Sequence, residues 1–461
     1  MSTAVSFGAG RLTVSAAALI ASVTTSCASG GGASYDSLRA AVDRAGTLER
    51  QSAAEDDRAL RGPVLDRAAF VRAVLDRNPS IDEARLAWRA AVARVRESGA
   101  LDDPTVSLEV APLSIGSPTA PFGYGASVSQ RLPWPGKLAF EEAVAKAEAT
   151  AARSDYEAAR RDIALSAALL YDAYFVAARS IEVNAQHIAL MKDLKAAALA
   201  QFESGRASAQ DPLQADFELA HMEHAAVTLA SDRDVTVAEM NELLHRDPAA
   251  PLPPPASDLG APTAVDARAA GRLESEAVER RPEIESARQH ARAEEARVRR
   301  AERESYPDVT VSTSYDSMWA MPEHRWMVGL GFELPIHLGR RAGAVDEADA
   351  ARERFENEEA RLSDEARTQV AVALARLEEA QHVVKLYDER LVPVARQQVD
   401  AARAGFIAGR NDFVAVVGAE RNLRSVELEA QVARADVDRR RAELDRALGR
   451  VPGLDGKEAA R

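Results

Sequence analysis

The chain is written twice. Asn78-Pro79-Ser80-Ile81-Asp82-Glu83-Ala84-Arg85 returns as Arg281-Pro282-Glu283-Ile284-Glu285-Ser286-Ala287-Arg288, about 203 residues later. Pro104-Thr105-Val106 returns as Pro307-Asp308-Val309, and Leu132-Pro133 as Leu334-Pro335. Phe202-Glu203-Ser204-Gly205-Arg206 returns as Phe406-Ile407-Ala408-Gly409-Arg410. Landmarks that keep their order over such a span mark a tandem duplication of one structural unit. A length of 461 residues would ordinarily suggest several domains; here it describes one architecture with internal pseudo-symmetry. The expected divisions are a leader over 1–27, an arm over 28–65, a first repeat over 66–248, a Pro-rich linker over 249–269, a second repeat over 270–452 and a tail over 453–461.

Each repeat opens with helical periodicity. Phe70, Val74, Ile81, Leu86 and Trp88 recur at helical spacing, and Pro79 divides a short helix from a longer one. The period then changes to two. Val106, Leu108 and Val110 alternate with Thr105, Ser107 and Glu109; Tyr124, Ala126, Val128 and Leu132 are set against Ser127, Ser129 and Arg131. The second copy repeats the pattern with Val309, Val311 and Tyr315, then Trp326, Val328, Leu330, Phe332 and Leu334. Strands of about ten residues are the length that crosses a bilayer when tilted. Four strands cannot close a barrel, and open edges do not survive in lipid. Three copies would supply twelve.

A very long helix follows each strand pair, over roughly 138–204 and 341–408, each about 100 Å at helical rise. Pro393 should kink the second. Both helices stop at a glycine, Gly205 and Gly409, and a returning helix starts within a few residues. Ser208 or Asp211 can cap the first returning helix, and Asn411 or Asp412 the second. Each copy therefore holds an antiparallel helical hairpin. The expected fold is mainly α with β: a tandem helix–strand–strand–long helix–hairpin unit.

No run of about 18 uncharged apolar residues follows the N-terminus, so no membrane-spanning helix is expected. Leu12 to Val23 reads as the apolar core of a secretory signal. Cys27 is the sole cysteine, which excludes a disulfide within the chain. Ser26 before it and a Ser/Gly tract after it suit lipid attachment at Cys27, although Thr24 stands where such sites carry Leu. Ordinary cleavage nearby, with Cys27 lost or free, is the other processed form. A net charge of −14 with no concentrated basic face argues against nucleic-acid binding. No nucleophile elbow, phosphate loop or hydrolytic histidine pair is present, so neither an enzyme nor a cofactor is expected.

The duplicated plan resembles the TolC-type outer-membrane factors of tripartite efflux systems. The residues that carry the resemblance are Leu-Pro-x-x-Gly-Lys (Leu132 to Lys137), the two Phe-x-x-Gly-Arg helix ends, and Leu391-Val392-Pro393 ahead of the second end. The resemblance covers roughly 66–452. The resemblance implies a homotrimer with a twelve-stranded β-barrel in the bacterial outer membrane, in contact with its lipid. A twelve-helix α-barrel would continue it into the periplasm. It implies a passive export duct, opened by a periplasmic adaptor and an inner-membrane pump. The tip and gate would comprise Phe202, Gly205, Arg206, Asp211, Phe406, Gly409, Arg410 and Asp412. Acidic residues often follow the second tip glycine in such proteins; here Ala415 and Gly418 occupy those places, so an acidic constriction would rest on Asp211 and Asp412.

Two further groups carry possible metal chemistry. Met318, Met321, His324 and Met327 recur every third residue around the second outer loop, and thioether with imidazole suits soft metals. With them the chain resembles most the heavy-metal-efflux branch, which would make metal cations the cargo. His221 and His224 lie three apart on the returning helix, where a solvated face is the simpler reading. The alternative function is a periplasmic coiled-coil scaffold anchored through Cys27, with soluble strand pairs and no channel. Apolar positions at both ends of all four strands favour lipid.

Overall fold

A computed structural model of the chain describes residues 34–47, 60–116, 118–259 and 270–454. Cys27, the leader and most of the tail lie outside the described residues. The chain forms two compact units. One comprises Arg85–Ser154 and Glu285–Ala360 with the chain up to Arg44; the other comprises Ala45–Ala84, Asp155–Ile284 and Arg361–Arg461.

The elements follow the duplication. The first copy runs α2 (Arg67–Arg77), α3 (Pro79–Ser98), β1 (Thr105–Val110), β2 (Tyr124–Leu132), α4 (Lys137–Glu203) and α5 (Gln210–Leu243). The second runs α6 (Ala270–Arg280), α7 (Pro282–Arg303), β3 (Asp308–Asp316), β4 (Trp326–Glu333), α8 (Leu338–Leu386), α9 (Val392–Ile407) and α10 (Phe413–Ala447). Pro79 and Pro282 occupy the first helical position, where a missing N–H costs nothing.

Residues 34–47 form a further helix, α1, within the stretch expected as an arm. Leu38, Ala41, Val42 and Ala45 make an apolar stripe at helical spacing, and Val42 is buried. The Arg96 guanidinium lies over the Tyr35 ring at 5.6 Å. The strands are also shorter than expected, at 6, 9, 9 and 8 residues. Pro112 opens a 3-10 turn soon after β1 and ends it early.

Pro393 does not break its helix. The chain passes through a π turn over Tyr387–Leu391, with the Val392 N–H bonded to the Tyr387 carbonyl. Widening the turn ahead of a proline accommodates its ring and its missing donor. The local irregularity expected at Pro393 takes the form of a π turn just ahead of it.

The core of the second unit starts at α2. Asp66 caps it by accepting from the Ala69 N–H at 3.1 Å, and Phe70, Val71 and Val74 are fully buried. Asn78 ends α2 and begins α3: its Oδ1 accepts from the Ser80 N–H, and its Nδ2 donates to the Leu243 carbonyl at the end of α5. The Tyr171 hydroxyl donates to the Leu65 carbonyl at 2.8 Å. Arg67 makes a two-pronged pair with buried Asp172, at 2.8 and 2.7 Å. The first residues of the Pro-rich linker pack here as well, with Leu65 bridged to Pro255 and the Tyr174 hydroxyl donating to the Pro253 carbonyl.

Candidate channel wall and hairpin tips

The four strands form one antiparallel sheet in the order β1-β2-β3-β4. Its register decides the character of each face. Val106 pairs with Val128, Leu108 with Ala126 and Val110 with Tyr124. Ala126 then pairs with Tyr315 and Leu132 with Val309. Val309 pairs with Phe332, Val311 with Leu330 and Tyr315 with Trp326. Directly paired residues project to the same side, so a single apolar face runs across all four strands, with Gln130 and Thr313 its polar members. Water-facing in the isolated chain, it leaves Leu108 80% and Val328 72% exposed. The opposite face carries Ser107, Ser127, Ser129, Thr310, Ser312, Ser314, Gly329 and Gly331, with Glu109, Arg131, Asp308, Met327 and Glu333 as its larger members.

Aromatic rings lie at both ends of the sheet. At the loop end Tyr124 lies 5.8 Å from Phe122 and 5.7 Å from Tyr315, which meets Trp326 edge-on at 5.3 Å. At the helix end Trp134 stacks on Tyr306 at 5.3 Å. The extended chain of β3, nine residues long, covers about 30 Å. Tilted by about 40°, it rises through roughly 23 Å, the height of the apolar band of an outer-membrane barrel between its aromatic girdles. No described helix is long and apolar enough to cross a membrane.

The Leu-Pro-x-x-Gly-Lys run turns β2 into α4. Gly136 takes φ +98°, and Lys137 is buried. Lys137 Nζ donates to Asp308 Oδ1 at 2.8 Å, to Glu304 at 3.3 Å and to the Tyr306 carbonyl at 3.3 Å. Asp308 also accepts from Arg131 at 2.6 Å and from the Trp134 N–H at 2.9 Å. Asp308 thus anchors the first copy's strand end to the second copy's.

Both hairpin tips lie in the second unit and end alike. Gly205 and Gly409 have φ +71° and +69°, and no atom lies within 4 Å of an added Cβ at either. The left-handed turn, rather than crowding, requires glycine there. The Arg206 N–H reaches the Gln201 carbonyl at 2.9 Å and the Arg410 N–H reaches the Gly405 carbonyl at 2.8 Å, which satisfies the terminal carbonyls. The phenylalanines differ: Phe202 is exposed, whereas Phe406 meets Phe413 edge-on at 5.3 Å above a core containing Met191, Leu219 and Met222.

The expected caps are placed differently. Ser208 Oγ accepts from the Gln210 N–H at 3.1 Å, while Asp211 sits inside the first turn of α5 and does not cap it. Asp412 holds the N-cap position of α10 without a side-chain bond. Arg206, Arg410 and Asp412 are exposed and Asp211 is half-buried. Among the described residues Asp211, Arg410 and Asp412 form no ion pair.

The other sequence candidates are scattered. His221 and His224 are exposed, with rings 6.5 Å apart. Met318 lies against Gly123, the Trp319 and His324 rings meet edge-on at 5.9 Å, and Met327 sits on the polar face of β4. Among the described residues no group of three or more His, Cys, Asp or Glu side chains could hold a metal ion. Sequence reasoning missed the polar set of buried His187 and Glu420 with half-buried Glu427, whose only signal is charge at core-facing helical positions.

A sheet with one largely apolar face, followed in each copy by a long helix that ends in a hairpin, suits the wall of a membrane duct. The family model "Outer membrane efflux protein" matches twice, over residues 70–244 and 273–450. The chain belongs to the outer membrane efflux protein family. The two matched stretches are the two copies read from the sequence.

Solved structures agree with this fold. The chain is similar to CusC, with a TM-score of 0.72 at 18% identity, covering 85% of this chain and 94% of that one. It is similar to the CmeC outer membrane channel of Campylobacter jejuni, at TM-score 0.69 and 16% identity over 84% and 86% of the chains. It is also similar to the open state of the MtrE outer membrane channel of Neisseria gonorrhoeae, at TM-score 0.64 and 17% identity over 83% and 89%. No curated protein matches the chain as a sequence relative. As an outer membrane efflux protein the chain is a channel of tripartite efflux systems, not an enzyme. It resides in the bacterial outer membrane with a periplasmic helical domain. Membership implies a trimeric channel working with an adaptor and a pump, and sets aside the scaffold without a channel.

Proposed function

We propose that three copies of this chain close their sheets edge to edge into one twelve-stranded barrel, through which a partner pump expels its substrate. The carrying observation is the sheet itself: its apolar face is continuous, yet β1 and β4 each have one neighbour among the described strands. Unpaired edge groups cannot face hydrocarbon, so the edges must find partners. Loops 112–123 and 316–324 then face outside.

The closable end is the pair of hairpin tips. Phe202, Gly205, Arg206, Asp211, Phe406, Gly409, Arg410 and Asp412 form it and meet the adaptor and inner-membrane pump. The charges of Asp211, Arg410 and Asp412, unpaired among the described residues, support that reading. Acylation at Cys27 would add an anchor, and the finer cargo assignment is metal cations, supported by the thioether-rich outer loop at Met318, Met321, His324 and Met327. Selectivity in such a tube comes from aperture and lining charge.

Planar-bilayer recording tests the duct. Purified protein should give stepwise conductance, and Asp211→Ala with Arg410→Ala should raise it. Wild-type protein that never conducts refutes the duct; a double variant with wild-type conductance refutes the gate. Metal tolerance in cells carrying Met318→Leu, Met321→Leu and Met327→Leu tests the cargo. Unchanged tolerance removes the outer-loop support.

A further inference from the structure

The first-copy hairpin (α4–α5) and the second-copy hairpin (α9–α10) are joined by a largely buried polar set that the duct reading leaves unused. His187 of α4 is 4% exposed and points at α10. Its Nε2 lies 3.0 Å from Glu427 Oε2, and its Nδ1 lies 3.6 Å from Glu420 Oε2. Glu420 is 1% exposed. Arg403 of α9 donates to Glu420 Oε1 at 2.6 Å, and Arg396 of α9 donates to Glu427 Oε1 at 2.8 Å. Around them Arg424 donates to Asn184 Oδ1, and Arg421 pairs with Glu218 of α5. His187 Nδ1 and Glu420 Oε2, the two atoms facing each other, are buried and without a hydrogen-bond partner.

A neutral imidazole carries one N–H. Set between two carboxylates, it can donate to one of them and must turn a lone pair on the other. The imidazolium has a donor for each. The two arginines balance the two glutamates, so the proton on His187 decides whether the set is fully bonded.

We propose that His187, Glu420 and Glu427 form a proton-operated latch between the two hairpins. Protonated, His187 bridges both carboxylates and holds α4 to α10. When the proton leaves to solvent, the Glu420 contact turns repulsive and α4 loosens from α10. Burial opposes the charged imidazole, but the hydrogen bonds and charges of Glu420 and Glu427 outweigh it, and the His187 pKa lies above its ordinary value. The sign follows: the latch is complete below the ordinary histidine value of about 6.5 and is lost as pH rises through the higher folded value. His187 lies about 27 Å of helix from Gly205, so the latch acts within the closable end. Its link to gating rests on the duct reading; the latch itself does not.

The test is amide hydrogen exchange on the detergent-solubilised full chain at pH 6 and pH 9, corrected for the intrinsic pH dependence of exchange. In the wild type the amides of α4 and α10 flanking His187 and Glu420 should exchange about tenfold faster at pH 9. His187→Gln should exchange at the faster rate at both pH values. In Glu427→Gln the transition should move about one pH unit lower, because a neutral amide no longer favours the imidazolium. A wild type without the difference, or a His187→Gln variant that keeps it, overturns the latch. If His187→Gln does not fold, an unmoved transition in Glu427→Gln overturns it equally. Loss of conductance in bilayers would count against the duct and leave the exchange result standing.

Discussion

An arginine at Leu330 is the sharpest probe of the apolar face. Leu330 pairs with Val311 near the middle of β4 and is 66% exposed in the isolated chain. It lies about 13 Å of strand from the aromatic residue Trp326, which places it near the centre of the band. An arginine on the lipid side at that depth costs about 2–4 kcal/mol per strand. Three copies bring the penalty to about 6–12 kcal/mol per barrel, as large as the whole stability of a typical domain. Ser127→Arg is the matched control, because Ser127 sits on the other face between Ser107 and Ser314, where small neighbours leave room. On a wet wall that substitution should change stability by no more than about 0.5 kcal/mol. Folded yield in outer membranes, read by semi-native electrophoresis, should collapse for Leu330→Arg and persist for Ser127→Arg. Equal loss for both, or a worse result for Ser127→Arg, would refute the assignment of faces.

Three other outcomes follow from the packing. Burial, opposed by Arg67 and reinforced by Asp172, pushes the Asp438 carboxyl up to about 6 from its ordinary 3.8. The folded state therefore holds a proton that the unfolded chain has already released, and stability falls as pH rises from about 4 to 6. Asp438→Asn should remove that slope and raise stability at pH 7 by up to about 3 kcal/mol, read from denaturant midpoints at both pH values. Lys137→Met leaves buried Asp308 short of a cation and should cost about 3 kcal/mol, whereas Lys137→Met with Asp308→Leu should cost less; unfolding of the pair and the singles checks the coupling. Gly205→Ala and Gly409→Ala force an alanine into the left-handed region and should each loosen their tip by about 1–2 kcal/mol, seen as faster local hydrogen exchange.

The sequence made the periodic parts legible. Period two separated Val328 and Leu330 from Gly329 and Gly331, and the glycine stops at Gly205 and Gly409 located both tips. What stayed hidden depends on partners far along the chain. Lys137 is legible as part of a motif, but its work of joining Asp308 to the end of β2 appears only when residues more than a hundred apart meet. His187 and Glu427 share that difficulty, since hydrophobic periodicity reports which face is buried and not which charges are buried with it. The helix at 34–47 was masked by its charge, although Leu38, Ala41, Val42 and Ala45 carry a short stripe. Ser208 and Asp211 both read as caps because their types and positions suit one; Ala209 holds the N-cap position, and of the two only Ser208 accepts a bond from the first turn.

Single-particle electron microscopy of the protein extracted from outer membranes tests the shared barrel. Threefold particles are expected, in which three four-stranded sheets close into one twelve-stranded barrel, with β1 of each copy paired to β4 of the next. Single copies with open sheet edges, or a barrel closed from another number of chains, would contradict it.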